Sequence, residues 1–222
     1  MPELPRPRLL MVLILGSYDE RTLPVLEHVR EEIAKLTTFW ADIYALPIIL
    51  GYVEVYRDDG AGLTLLVERG PDRKLLVLVL NGVREIVRDA LQVELPEGVD
   101  LDDFMYEFIR KRWPKATSPY RLPVMEKLEA LTSLRCLVLV IRHKELTRCG
   151  EYIELGFLTG AGLPPRNIYF VHREGIRVSE MVYELMDYLG VNLRTYRELD
   201  DLLREVRRII HYRVRELRAS AH

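Results

Sequence analysis

Two short segments of this chain hold residue types whose spacing could carry chemistry. The first is Gly16-Ser17-Tyr18-Asp19: a glycine, a hydroxyl donor, an aromatic ring and a carboxylate. The glycine lets the backbone turn sharply and Ser17 can donate its hydroxyl. A helix start behind the loop would offer free N–H groups to an anion or a sugar hydroxyl. The second segment runs from Arg142, His143 and Lys144 to Gly150, Glu151, Glu154 and Gly156. Glu151 and Glu154 are three residues apart and lie on adjoining parts of one helical face. A carboxylate near the start of a helix is favoured as the anion by the helix dipole. That suits Glu154 to nucleophilic attack rather than proton donation. Each segment also has a plainer reading, the first as an ordinary strand-to-helix turn and the second as the acidic opening common to helices.

The elements that must position these residues follow from periodicity. Residues 9–15 are a continuous apolar run of strand length. Leu23, Leu26, Val29, Ile33 and Leu36 recur at helical spacing, and residues 41–46 read as a second strand closed by Pro47. The rhythm resumes with a helix at 126–134, an apolar strand at 136–141 and a helix at 150–162 with Ile153 and Phe157 turned to the sheet. A strand at 167–171, a helix at 179–189 capped by Ser179, a strand at 192–196 and a long helix over 197–217 complete it. Apolar strands alternating with amphipathic helices predict an α/β, flavodoxin-like, doubly wound parallel sheet of about five strands. Residues 48–120 interrupt the rhythm. Residues 51–57 and 63–68 alternate about Asp58-Asp59-Gly60, a β-hairpin signal; 75–80 add a strand; 83–91 and 101–112 look helical. The expectation is a single α/β domain over 1–222 with this β-hairpin-containing insertion packed on it. Ligands of doubly wound sheets sit beyond the carboxyl ends of the strands, where both segments fall.

Composition narrows the partners. The chain has 222 residues, 32 Lys and Arg against 34 Asp and Glu, and is 49% hydrophobic. That excludes wholesale disorder and argues against a protein that works by coating nucleic acid. No apolar stretch approaches the ~20 residues of a membrane-spanning helix, so no membrane partner is expected. The apolar run after Arg6 and Arg8 ends without a small-residue cleavage site, which predicts a cytoplasmic protein. Gln92 is the sole glutamine and Asn81, Asn167 and Asn192 the only asparagines, a bias of heat-adapted proteins. His28, His143, His172, His211 and His222 make no metal-ligand spacing, and neither GxGxxG nor GxxxxGK[ST] occurs. Cys136 reads as a buried small hydrophobe, whereas Cys149 beside Arg148 could have a lowered pKa. In the last helix Arg204, Arg207 and Arg208 interleave with Asp200, Asp201 and Glu205, a pattern of a solvated, ion-paired helix. Its apolar stripe could pack a second subunit.

Residues 133–141, followed by Gly150-Glu151-Tyr152-Ile153-Glu154-Leu155-Gly156-Phe157 and the 167–171 strand, resemble the nucleoside 2-deoxyribosyltransferases and, more distantly, TIR-like NAD-cleaving domains. In the transferases a strand is followed by Gly-x-x-x-Glu-x-Gly-Tyr. Gly150, Glu154, Gly156 and Phe157 match in order, with Phe for Tyr. Gly16-Ser17-Tyr18 is similar to the glycine-containing loop after the family's first strand, and the resemblance covers about residues 8–47 and 120–196. Arg148 and Cys149 stand where the family carries an acidic residue before the glycine. The resemblance implies a deoxyribosyltransferase-like or N-glycosidase activity on a small nucleoside or nucleotide. Glu154 would be the nucleophile of a double displacement through an oxocarbenium-like transition state. Asp19 or Glu151 would protonate the leaving base or orient the sugar, with Gly16, Ser17, Tyr18, His143 and Gly150 at the substrate. No cofactor or metal is implied, and related transferases complete their sites across subunits, which points to a homo-oligomer. The other class of reading is a non-catalytic nucleotide-binding or self-associating module on the same scaffold.

Overall fold

The computed structural model describes residues 8–37, 40, 42–81, 87–134, 136–145 and 150–220. The chain opens with β1 (Arg8–Gly16), α1 (Leu23–Thr37) and β2 (Ile43–Ile49). It continues through β3 (Val53–Asp58), β4 (Leu63–Arg69), β5 (Lys74–Asn81), β6 (Asp89–Glu94), α2 (Leu101–Arg112), β7 (Tyr120–Arg121) and α3 (Val124–Ser133). It ends with β8 (Leu137–Arg142), α4 (Gly150–Gly160), β9 (Ile168–Arg173), α5 (Glu180–Leu189), β10 (Asn192–Tyr196) and α6 (Leu199–Ala219). These elements fall into two compact units, Met1–Leu50 with Arg135–His222, and Gly51–Leu134.

The first unit holds a five-stranded parallel sheet in the order β2-β1-β8-β9-β10, the flavodoxin-like order. Its inner strands β1 and β8 are mostly apolar because both faces are covered: every residue of β8 is buried, as is β1 from Leu10 onward. The strand expected to close at Pro47 instead runs through it to Ile49, pairing Val12 with Pro47. Proline lacks an N–H and is tolerated here because β2 is an edge strand. Helix α1 packs against β1 and β2. Helix α6 packs on α1, where Arg207 donates to Glu32, and Arg204 and Arg208 pair with Asp201 and Glu205 as expected of an ion-paired helix. Cys136, just ahead of β8, is fully buried, and loss of solvation pushes its thiol up to about 12.

Helix α4 seats differently from its sequence pattern. Leu155 and Leu158 are buried and the Tyr152 ring stacks on Phe170 of β9 at 5.9 Å, whereas Ile153 is 63% exposed. The helix therefore meets the sheet through 152, 155 and 158, an i, i+3 row that turns Ile153 outward. Ser179 occupies the N-cap position of α5, although its hydroxyl makes no capping bond, and Gly190 closes that helix at φ +70°.

The second unit is antiparallel, ordered β6-β5-β4-β3-β7. The expected hairpin joins β3 to β4, its turn held by the Ala61 N–H donating to Asp58 Oδ1 at 3.1 Å. Part of the expected 83–91 helix lies outside the described residues. The rest is corrected: Asp89–Glu94 is strand β6, with Leu91 and Val93 turned to the core and alternate residues outward. Helix α2 matches its pattern. Asp100 caps it, accepting from the Asp102 N–H at 2.8 Å, and Met105 and Ile109 enter a core with Tyr56, Leu65 and Val77. The segment extends to Leu134 rather than ending near residue 120, because α3 is tied to β3. Lys127 Nζ donates to the Val53 carbonyl at 2.6 Å in a buried position. Among the described residues no helix is long and apolar enough to cross a membrane.

Candidate functional site

The parallel sheet grows from β1 in both directions, to β2 on one side and to β8, β9 and β10 on the other. The loops leaving β1 and β8 therefore diverge at a topological switch point, where such sheets open a crevice at their carboxyl edge. Both candidate segments lie there, and one ion pair joins them: Lys144 Nζ stands 2.7 Å from Asp19 Oδ1.

Asp19 is the organiser of the first loop. Its Oδ2 accepts from the Ser17 hydroxyl. Its Oδ1 accepts from the backbone N–H groups of Arg21 at 3.0 Å and Thr22 at 3.2 Å, just ahead of α1. Partial burial acts to raise its pKa. Lys144, Ser17 and the two backbone donors overcome that and hold the carboxyl far below the usual range. Asp19 is thus held as the anion near neutral pH. Gly16 is required by space rather than by a turn. A Cβ there would meet the Ile141 carbonyl oxygen at 2.9 Å and Leu26 Cδ2 at 3.1 Å. Tyr18 is exposed beside it.

His143 is half-buried, and its Nδ1 lies 2.9 Å from the Tyr196 hydroxyl at the end of β10, the two rings stacked at 6.2 Å. Burial, then the charge of Arg173, lowers its pKa, with Asp19 opposing. Burial likewise raises the Tyr196 phenol, so the pair is neutral near pH 7. A base whose folded pKa is depressed contributes stability above the ordinary imidazole range and loses it as pH falls through that range. We expect the melting temperature to drop as pH goes from 7.5 to 5. His143→Phe should flatten that drop; an unchanged slope would remove His143 as its source. Asp19 acts in the same direction in a lower window, since its contribution is full above the ordinary carboxylate range and is lost as pH falls through and below that range.

On the second segment, Glu154 sits in the second turn of α4, half-buried, with Oε2 closed off from solvent. Gly150 opens the helix, and no described atom lies within 4 Å of where a Cβ would stand there or at Gly156. Both positions leave open space. Arg148, Cys149 and the side chain of Glu151 lie outside the described residues. Four participants carried no assigned role in the sequence reading: Lys144, Tyr196, Arg142 and Tyr152. Lys144 adjoins His143, and Arg142 and Tyr196 end strands, so position at a strand terminus was the available signal. Among the described residues no group of three His, Cys, Asp or Glu side chains could hold a metal ion. No family model and no curated protein matches the chain.

Proposed function

We propose that this protein cleaves the N-glycosidic bond of a nucleoside or nucleotide, in the manner of the nucleoside 2-deoxyribosyltransferases it resembles, with Glu154 as nucleophile. The observation that carries the reading is the carboxyl edge at the switch point. There Asp19 and Lys144 join the two loops, and α4, which follows the second of them, holds a carboxylate with one oxygen shielded from water. Shielding favours a carboxylate meant to bond carbon, because it keeps bulk water from the ester that forms.

In the reaction, a Glu154 oxygen bonds the anomeric carbon as the bond to the base nitrogen breaks. The electron pair leaves with the base, which takes up a proton. Glu151, whose role is unassigned by contacts, is the proposed donor; Asp19 is the proposed anchor for a sugar hydroxyl. Water or a second base then attacks the same carbon and frees the carboxylate. Gly150 and Gly156 give the ligand room, and the neutral His143–Tyr196 pair offers hydrogen bonds without competing charge. The protein is read as cytoplasmic. It is also read as self-associating, which the exposed row Met181, Leu185 and Tyr188 on α5 supports.

The test is release of free base from a panel of deoxynucleosides, ribonucleosides, their monophosphates and NAD, assayed to just below the melting temperature. Base release from at least one class is expected. Its absence from all of them overturns the proposal in favour of the binding-module reading.

A further inference from the structure

The last residue of β8 is a buried arginine with no described carboxylate paired to it. Arg142 is 7% exposed. Its guanidinium lies 5.1 Å from the centre of the Tyr152 ring, in the first turn of α4. Its Nη2 reaches the Arg177 carbonyl only at 3.5 Å, and its Nε–H has no hydrogen-bond acceptor among the described residues. No carboxylate pairs with it among the described residues. The Tyr152 hydroxyl is buried beside it and also lacks a partner. A guanidinium cannot shed its proton to escape such a site, so the charge remains and calls for a counter-ion. Nearby Arg173, at the end of β9, forms no ion pair with a described carboxylate either, and its charge already reaches His143 and Tyr196.

We infer that this edge of the parallel sheet binds a phosphate monoester, recognised by Arg142 and Tyr152. The inference rests on the N-glycosidase reading only for the rest of the ligand, which makes the substrate a nucleotide rather than a nucleoside. A phosphate has three terminal oxygens, enough to accept from the Arg142 Nε–H, from a second guanidinium N–H and from the Tyr152 hydroxyl together. The first turn of α4 adds amide donors whose dipole favours the same charge. Lys144 is committed to Asp19 and leaves this role to Arg142.

The test compares wild-type protein with Arg142→Met and Tyr152→Phe, using inorganic phosphate, 2′-deoxyadenosine and 2′-deoxyadenosine 5′-monophosphate as probes. Phosphate should raise the melting temperature of the wild type, and the monophosphate should bind at least tenfold more tightly than the nucleoside. Arg142→Met should abolish both effects, while ligand-free Arg142→Met melts at or above the wild-type temperature because an uncompensated buried charge is gone. Tyr152→Phe, which removes one oxygen and keeps the ring stack, should weaken monophosphate binding severalfold. Three results would each overturn the inference. They are a phosphate shift that survives Arg142→Met, equal affinity for nucleoside and monophosphate, and an Arg142→Met protein much less stable than the wild type. Phosphate-dependent binding without base release strikes the N-glycosidase reading alone. Base release indifferent to phosphate strikes this inference alone.

Discussion

On the proposed mechanism, Glu154→Gln should remove base release, lowering kcat by about 10⁴-fold, while the protein keeps its melting temperature and its affinity for ligand. The amide matches the carboxylate in size but cannot form the glycosyl ester, so the loss falls on the chemical step and not on binding. Glu154 is only half-buried, so the neutral replacement does not open a core cavity. Steady-state kinetics on whichever substrate releases base would measure the effect. Turnover within tenfold of the wild type would place the nucleophile elsewhere, and an equal rise in KM with kcat unchanged would demote Glu154 to a binding group.

The second large effect is structural and belongs to the Gly51–Leu134 unit. Met105→Ala should cost about 2–5 kcal/mol of stability. Met105 is completely buried on the inner face of α2, among Tyr56, Leu65, Val77 and Ile109. Strands β3, β4 and β5 and the helix all contribute to that cluster, so a void at its centre cannot be closed by moving one side chain. The neighbouring Tyr106 is exposed, and Tyr106→Ala should change stability by no more than about 0.5 kcal/mol. Denaturant unfolding of the two variants gives the comparison. Similar losses from both would mean that α2 is held by its caps and ion pairs rather than by its apolar face.

Legibility in the sequence tracked the range of the interactions involved. Helix α2 was legible over 101–112 because the row it buries, Leu101, Met105 and Ile109, is local. The hairpin was legible for the same reason, its turn chemistry lying between two alternating runs. Strand β6 was misread although Leu91, Val93 and Leu95 alternate toward the core, because the neighbouring residues Val83 to Arg88 favoured a helical count. Pro47 looked like a strand end; only the position of β2 at the edge of the sheet makes it a strand interior. The orientation of α4 failed because apolar residues occupy most of its sides, and the Tyr152–Phe170 stack decides which side faces in. At the candidate site, the types and loops were legible but the pairings were not. Asp19 with Lys144, His143 with Tyr196 and Arg142 with Tyr152 each join residues on different elements. No spacing within a segment encodes them.

The sealed environment of Cys136 has a practical corollary. With its sulfur fully enclosed and its thiol protonated at any ordinary pH, it is inert to maleimides and disulfide reagents while the fold persists. The chain has two cysteines, and the other, Cys149, immediately precedes α4. Any label taken up by the native molecule therefore reports from a single position one residue ahead of that helix.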